Sequence, residues 1–108
     1  MTHLFCPYLN GQVELSQERE WHILERHPEL APLLRQWIAA TLEDPDGIRR
    51  STRLNDAWLF SRWHPDLLAG KHMVVVVVGD RGPTQRHWII TAYAARRLAA
   101  GGPEWRQN

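Results

Sequence analysis

Five consecutive valines, Val74–Val78, constrain the fold of this 108-residue chain more than any other feature of its sequence. β-Branched side chains favour strands, and the run is far too short to cross a bilayer. A strand without polar alternation is covered on both faces. We therefore expect Lys71–Val78 to be a central strand.

Three other segments have strand-like periodicity and suitable length: Ile48–Leu54, Ala57–Trp63 and His87–Tyr93. The short turn-rich pieces LND, HPD and GDRGP separate the four, and connections this short favour antiparallel neighbours. Gln12–Leu15 is a further short strand-like piece, and the tail GGPEWRQN is expected to be a turn and a short end, with Trp105 as an anchor.

Two helices are expected before these strands. Ser16 is a good N-cap for a helix over Gln17–Arg26, and Pro28 disfavours helical geometry at His27. A second helix is expected from near Pro32 to the stop signal EDPDG, with one apolar stripe: Leu30, Leu34, Trp37, Ile38, Thr41 and Leu42. The predicted fold is α+β, a single domain over residues 1–108 with two N-terminal helices packed on one face of a four-stranded antiparallel sheet.

Alternation predicts the directions of side chains on two of these elements. In the last strand, Trp88, Ile90 and Ala92 should face the helices, leaving His87, Ile89, Thr91 and Tyr93 on the open face. In the first helix, Trp21 and Leu24 should point inward. Arg19, His22 and Arg26 should lie on the more polar side.

Composition restricts the class of protein. Cys6 is the only cysteine, so an internal disulfide and a cysteine metal cluster are excluded. The N-terminal segment lacks the pattern of a secretory signal, so we expect a soluble cytoplasmic protein that does not engage a membrane. Residues 1–46 hold three Lys/Arg against eight Asp/Glu, whereas residues 47–108 hold ten against four. The basic half permits an anionic partner, although solvated faces and attraction between the halves explain the asymmetry equally well.

His22 and His27 are five residues apart in EWHILERHPEL. At 3.6 residues per turn their side chains diverge by about 140° on a regular helix, so they cannot jointly hold a metal ion. The simplest interpretation makes His22 a surface residue, His27 a helix-terminal residue and Arg26 a solvated ion-pair partner.

Five pieces of the chain occur in an order that resembles a known group of small nucleases: HILERHPEL, EDPDGIRRS, KHMVVVVV, WIITAYAARRL and GGPEW. That group is the phage-type barnase, EndoU, colicin and RelE-like (BECR-fold) nuclease family. HILERHPE and ITAY are the most specific pieces. The family fold that the resemblance implies, one or two N-terminal helices and a four-stranded antiparallel sheet, agrees with the fold that periodicity predicts.

The resemblance implies a toxin-like, metal-independent endoribonuclease without a cofactor, which would attack phosphorus with the RNA 2′-hydroxyl and leave a 2′,3′-cyclic phosphate. The implied substrate is RNA, with tRNA as one candidate. The implied partner is an antitoxin or immunity protein, in a phage, plasmid or conflict system.

The resemblance also implies roles for particular residues. His27 would be the general base or acid, and His22 would share that work. Arg26 and Lys71 would contact the phosphate. Thr91 would donate a hydrogen bond to it, and Tyr93 would stack on a base or handle a second proton. Arg49, with Arg53 on the same strand parity, is a further candidate for substrate binding.

Two other functional classes remain open. A non-catalytic module with the same fold could bind nucleic acid or a partner protein through the same arginines and tryptophans, and a structural domain would bind no anion. Catalysis requires His27, Arg26 and Thr91 to converge on one cleft, whereas a binding module needs only a basic or aromatic surface.

Overall fold

The computed structural model describes residues 1–51, 53, 56–80 and 85–98 and the backbone of residues 102–106. Within these residues, two α-helices, one 3₁₀ turn and seven strands follow one another. Their bounds are β1 Thr2–Cys6, β2 Gly11–Leu15, α1 Gln17–Arg26, the 3₁₀ turn Pro28–Leu30, α2 Leu34–Glu43, β3 Gly47–Arg50, β4 Trp58–His64, β5 Lys71–Gly79, β6 His87–Ala95 and β7 Gly102–Arg106.

The sheet is larger than the sequence predicts, and it is mixed. Its strand order is β1-β2-β6-β5-β4-β3-β7. All neighbours are antiparallel except β2 and β6, which run parallel. The predicted α+β class and the two helices are present, but the four-stranded antiparallel sheet is wrong.

Long-range pairing adds the strands that periodicity missed. A β1–β2 hairpin extends one side of the sheet, because Val13 and Glu14 pair with His87 and Trp88 of β6. On the other side β7 pairs with β3, so Gly102–Arg106 of the tail is a strand and not only part of a turn and a short end. The proposed anchoring by Trp105 lies outside the described side chains.

The main core lies between the two helices and one face of the sheet. The apolar stripe of α2 is buried as predicted, with Leu34, Ile38, Thr41 and Leu42 inside. They pack with Val75, Val77 and Met73 of β5, which confirms that the valine strand is central. The opposite face of β5, with Val74 and Val76, is covered in part by Leu98 of the connection that leads towards β7.

Helix α1 begins and ends where the sequence predicts. The Ser16 hydroxyl accepts a hydrogen bond from the Arg19 backbone N–H at 3.1 Å, and the chain leaves helical geometry at His27, which precedes Pro28. The prediction that Trp21 points inward is wrong, because its side chain is 63% exposed and Ile23 is the residue that enters the core.

A β-bulge in β6 changes the predicted alternation. Thr91 pairs with Val76 and Ile89 with Val77, so Ile90 is an extra residue that opposes no partner. Ile89 is therefore buried in the main core, although alternation predicts it on the open face, and Ile90 packs on the opposite face. Thr91 still lies on the predicted face, since it pairs with Val76.

Candidate functional site

A basic groove lies between α1 and the exposed edge of β6. It measures about 340 Å³ and is lined by Arg19, His22, Ile23, Arg26, Ile90 and Thr91. Three of the residues that the sequence singled out, His22, Arg26 and Thr91, thus face one cavity. We call this cavity the α1–β6 groove.

The groove forms where β2 stops pairing with β6. β2 pairs with β6 only as far as Trp88, and the chain then leaves the sheet at Ser16 and forms α1. Beyond Trp88 the edge of β6 is bordered by the helix, and a guanidinium N–H of Arg19 donates to the Ile90 carbonyl oxygen at 3.5 Å. The bulge at Ile90 lies at this contact, where an extra residue turns the strand.

The basic side chains of the groove come from one face of α1. Arg19, His22 and Arg26 are separated by three and four residues, the spacing that places side chains above one another on a helix. Arg19 was absent from the predicted site residues. The signal that could have revealed it is its spacing from His22 and Arg26.

His27 and Tyr93 do not line the α1–β6 groove; they lie next to it, near each other beyond the end of α1. Their rings are 6.5 Å apart between centroids. Tyr93 is two residues beyond Thr91 on the same face of β6, about 7 Å along the strand. His27 Nδ1 lies 3.5 Å from an oxygen of the Glu29 carboxylate. Because Pro28 ends α1 at Arg26, His27 lies beside β6 and does not continue the helical spiral.

Lys71 does not join this group. Its ammonium donates to the carbonyl oxygens of Leu68 and Gly70, at 3.2 and 3.3 Å, within its own turn. Alternation along β5 puts Lys71 on the same sheet face as Met73, whereas Thr91 lies on the other face.

Arg49 and Arg53 also lie away from the groove. Arg49 shares a cross-strand row with Thr91, since it pairs with Leu59, Leu59 with Val76 and Val76 with Thr91. Three strand spacings separate the ends of that row, about 14 Å. Arg53 is exposed beyond the end of β3, with its backbone N–H donating to the Ser51 hydroxyl.

A second cavity adjoins the α1–β6 groove. It measures about 230 Å³ and is lined by Met1, Glu14, Ser16, Arg19, Arg86, Trp88 and Ile89. Arg19 lines both cavities. Arg86 makes two hydrogen bonds to the Glu14 carboxylate, at 2.8 and 2.9 Å, and its guanidinium lies 5.9 Å from the Trp88 ring centroid. The Arg86 hydrogen bonds are the main cause that lowers the pKa of Glu14.

Another histidine, His64, is buried. It is 6% exposed, its Nε2 lies 3.1 Å from the Thr41 hydroxyl oxygen, and Trp37 packs against its ring. Burial is the main cause that lowers the pKa of His64, and the charge of Arg62 lowers it further. Its surroundings are those of a structural histidine.

No protein-family model, curated protein or solved structure matches this chain. The resemblance to small nucleases therefore rests on the sequence pieces that carry it.

Neither a metal site nor a membrane span is found in the described part of the chain. Within those ranges no three His, Cys, Asp or Glu residues are grouped so that they could hold a metal ion. No helix there has the length and apolar character that crossing a bilayer requires.

Proposed function

We propose that the α1–β6 groove is the active site of an endoribonuclease that cleaves RNA by transesterification. The supporting observation is the convergence of His22, Arg26 and Thr91 on one groove, with His27 and Tyr93 beside it. Two permanent positive charges and a hydroxyl suit a phosphodiester, and histidine suits proton transfer near neutral pH.

The reaction needs a base, an acid and cations. The base removes the proton of the 2′-hydroxyl, its oxygen forms a bond to phosphorus, and the bond to the 5′-oxygen breaks as the acid protonates that oxygen. The products are a 2′,3′-cyclic phosphate and a free 5′-hydroxyl. His27 and His22 take the acid and base roles, and Arg19 and Arg26 stabilise the charge on the phosphate.

Glu29 and Tyr93 position His27 in this scheme. The carboxylate of Glu29 faces Nδ1 of His27, so the other ring nitrogen is the one that exchanges a proton with the substrate. The Tyr93 ring borders the imidazole on the sheet side. Thr91 donates its hydroxyl proton to a phosphate oxygen, and the proposal assigns no role to Lys71 or Arg49.

The RNA substrate, the cellular location and the partner protein are part of the same proposal. An enzyme of this kind would act on cellular RNA, tRNA included, in the cytoplasm. An antitoxin or immunity protein is the expected partner, because a groove that cleaves host RNA would need to be blocked in the producing cell.

The test is cleavage of end-labelled RNA in EDTA. We expect products that end in a 2′,3′-cyclic phosphate, and we expect them to vanish for the Arg26→Ala, His27→Ala double variant. Removing one phosphate-binding side chain, as in Arg26→Gln, should reduce kcat/KM about 100-fold.

A matched control is Arg35→Gln. Arg35 is an exposed helical arginine like Arg26, but it binds Glu20 and does not line the groove. The control should cleave normally. Tight RNA binding without cleavage of any RNA class would overturn the enzyme and favour the non-catalytic module.

A further inference from the structure

We infer that the second cavity is a subsite for one nucleobase of single-stranded RNA, next to the phosphate that the α1–β6 groove binds. This inference rests on the proposed function and specifies its substrate. The second cavity is the one lined by Arg86, Trp88 and Glu14.

Arg19 connects the two cavities. It lines both, so a phosphate held by Arg19 and Arg26 would have its neighbouring nucleoside directed along β6 towards Trp88. Trp88 and Thr91 pair with Val78 and Val76, which are two residues apart on β5, so about 7 Å separates them along the strand. That length suits adjoining positions on one flexible strand.

The chemistry of the second cavity suits a base better than a phosphate. Because the Glu14 carboxylate binds Arg86 through two hydrogen bonds, the pair adds no net positive charge, and a second phosphate would face a carboxylate. What the cavity offers is the indole of Trp88 and the guanidinium of Arg86, 5.9 Å from the indole centroid, two flat groups on which unstacked bases stack.

Stacking of a base on Trp88 requires that the RNA be single-stranded at that position. A base inside a duplex is stacked on its neighbours and cannot lie against Trp88, whereas a base in a loop or an unpaired end can. Glu14 holds the Arg86 guanidinium near the Trp88 ring, because it accepts two hydrogen bonds from that guanidinium.

The experiment is a binding titration with five-nucleotide RNAs in which every 2′-hydroxyl is methylated, so that cleavage is blocked. One probe is complete, and each of the others lacks the base at one position. We expect the loss of one particular base to weaken binding about tenfold, the usual scale of base–aromatic stacking. In Trp88→Leu that base should no longer matter, because the variant already lacks its partner.

Arg86→Gln and Arg35→Gln are the matched pair of variants. Each removes the arginine of a bidentate Arg–Glu pair whose two side chains have the same exposures, 58% and 17%, but only Arg86 lines the cavity. Arg86→Gln should weaken binding of the complete probe several-fold, and Arg35→Gln should leave it unchanged. The Arg86→Gln result carries the test if Trp88→Leu does not fold.

The outcomes separate the two proposals. Cleavage by the unmodified protein together with equal binding of all probes would overturn the base subsite and leave the endoribonuclease intact. Base-dependent binding without cleavage would support the subsite and overturn the enzyme. Equal weakening by Arg86→Gln and Arg35→Gln would overturn the subsite, since a general charge effect would then account for both.

Discussion

Two histidine environments at different places in the molecule show how one residue type can serve structure or chemistry. His64 is enclosed by α2 and the end of β4, with a hydroxyl at 3.1 Å and an indole against its ring. His27 lies at the end of α1, where a third of its side chain is exposed, between a carboxylate and Tyr93. The difference is access, because a histidine that exchanges protons with a substrate must be reachable by it.

The hydrogen bond between His64 and Thr41 fixes the tautomer of the neutral ring as well as its position. The Thr41 hydroxyl has one proton, which it donates to the Trp37 carbonyl oxygen at 2.7 Å. Towards His64 it can therefore only accept, so the hydrogen network assigns the ring proton of neutral His64 to Nε2. His64 is thus a buried donor whose loss of partner would be costly.

The largest expected effect separates the two environments through activity. His27→Ala should lower kcat for RNA cleavage about 100-fold or more, because it removes a proton-transfer group. It should change the free energy of unfolding by less than about 1 kcal/mol, since the helix-capping bond to the Ile23 carbonyl uses the backbone N–H of His27. Single-turnover cleavage and urea denaturation measure the two quantities.

A different balance would contradict the assignment. If His27→Ala lost stability and activity in proportion, the residue would be structural like His64. If His27→Ala kept full activity while His22→Ala lost it, His22 alone would carry the acid and base work.

The second effect is on stability. Thr41→Val keeps the β-branched shape but removes the hydroxyl, which leaves Nε2–H of His64 buried without an acceptor. The expected cost is about 1–3 kcal/mol in the free energy of unfolding. Thr41→Ser retains the hydroxyl and is the control, so its loss should be smaller. RNA cleavage by Thr41→Val, measured well below its Tm, should equal that of the unmodified protein.

That comparison can also fail in an informative way. A Thr41→Val protein as stable as the unmodified one would show that the hydrogen bond between Thr41 and His64 contributes nothing, and packing of the ring against Trp37 would then hold His64. Reduced cleavage in a fully folded Thr41→Val protein would show that the two environments are coupled.

The sequence predicts the local parts of this fold well. The bounds of α1 are correct because Ser16 and Pro28 act on residues next to them, and the central position of β5 follows from five adjacent valines. The edges of the sheet are different. β7 pairs with β3, more than fifty positions away in the chain, and β2 pairs with β6 in parallel, and neither pairing has a local signal.

The same distinction applies to the candidate site. His22, Arg26 and Thr91 were singled out by resemblance, and the groove that they line depends on α1 running beside the edge of β6. Arg19 was missed although its helical spacing is visible in the sequence. The bulge at Ile90 could not be predicted, because alternation gives no indication of where a strand gains an extra residue.

The smallest expected effect is the dependence of the free energy of unfolding on pH, which reports on the protonation of His64. Because the pKa of His64 is lowered in the folded state, the unfolded chain binds a proton more readily, and stability should fall as the pH decreases below the ordinary histidine value of about 6.5. Above that value His64 is neutral in both the folded and the unfolded state, and the slope should vanish.

The pKa of His87 is also lowered by burial, so His87→Gln should remove its share of the slope and leave the share of His64. The carboxyl groups of Glu14 and Glu20, whose pKa values are lowered by their arginines, should add their dependence only near and below pH 4.5. Chemical denaturation between pH 5 and 8 measures the slope. If the slope in His87→Gln were absent or of opposite sign, His64 would be accessible to water. Its environment would then not differ from that of His27 in the way argued above.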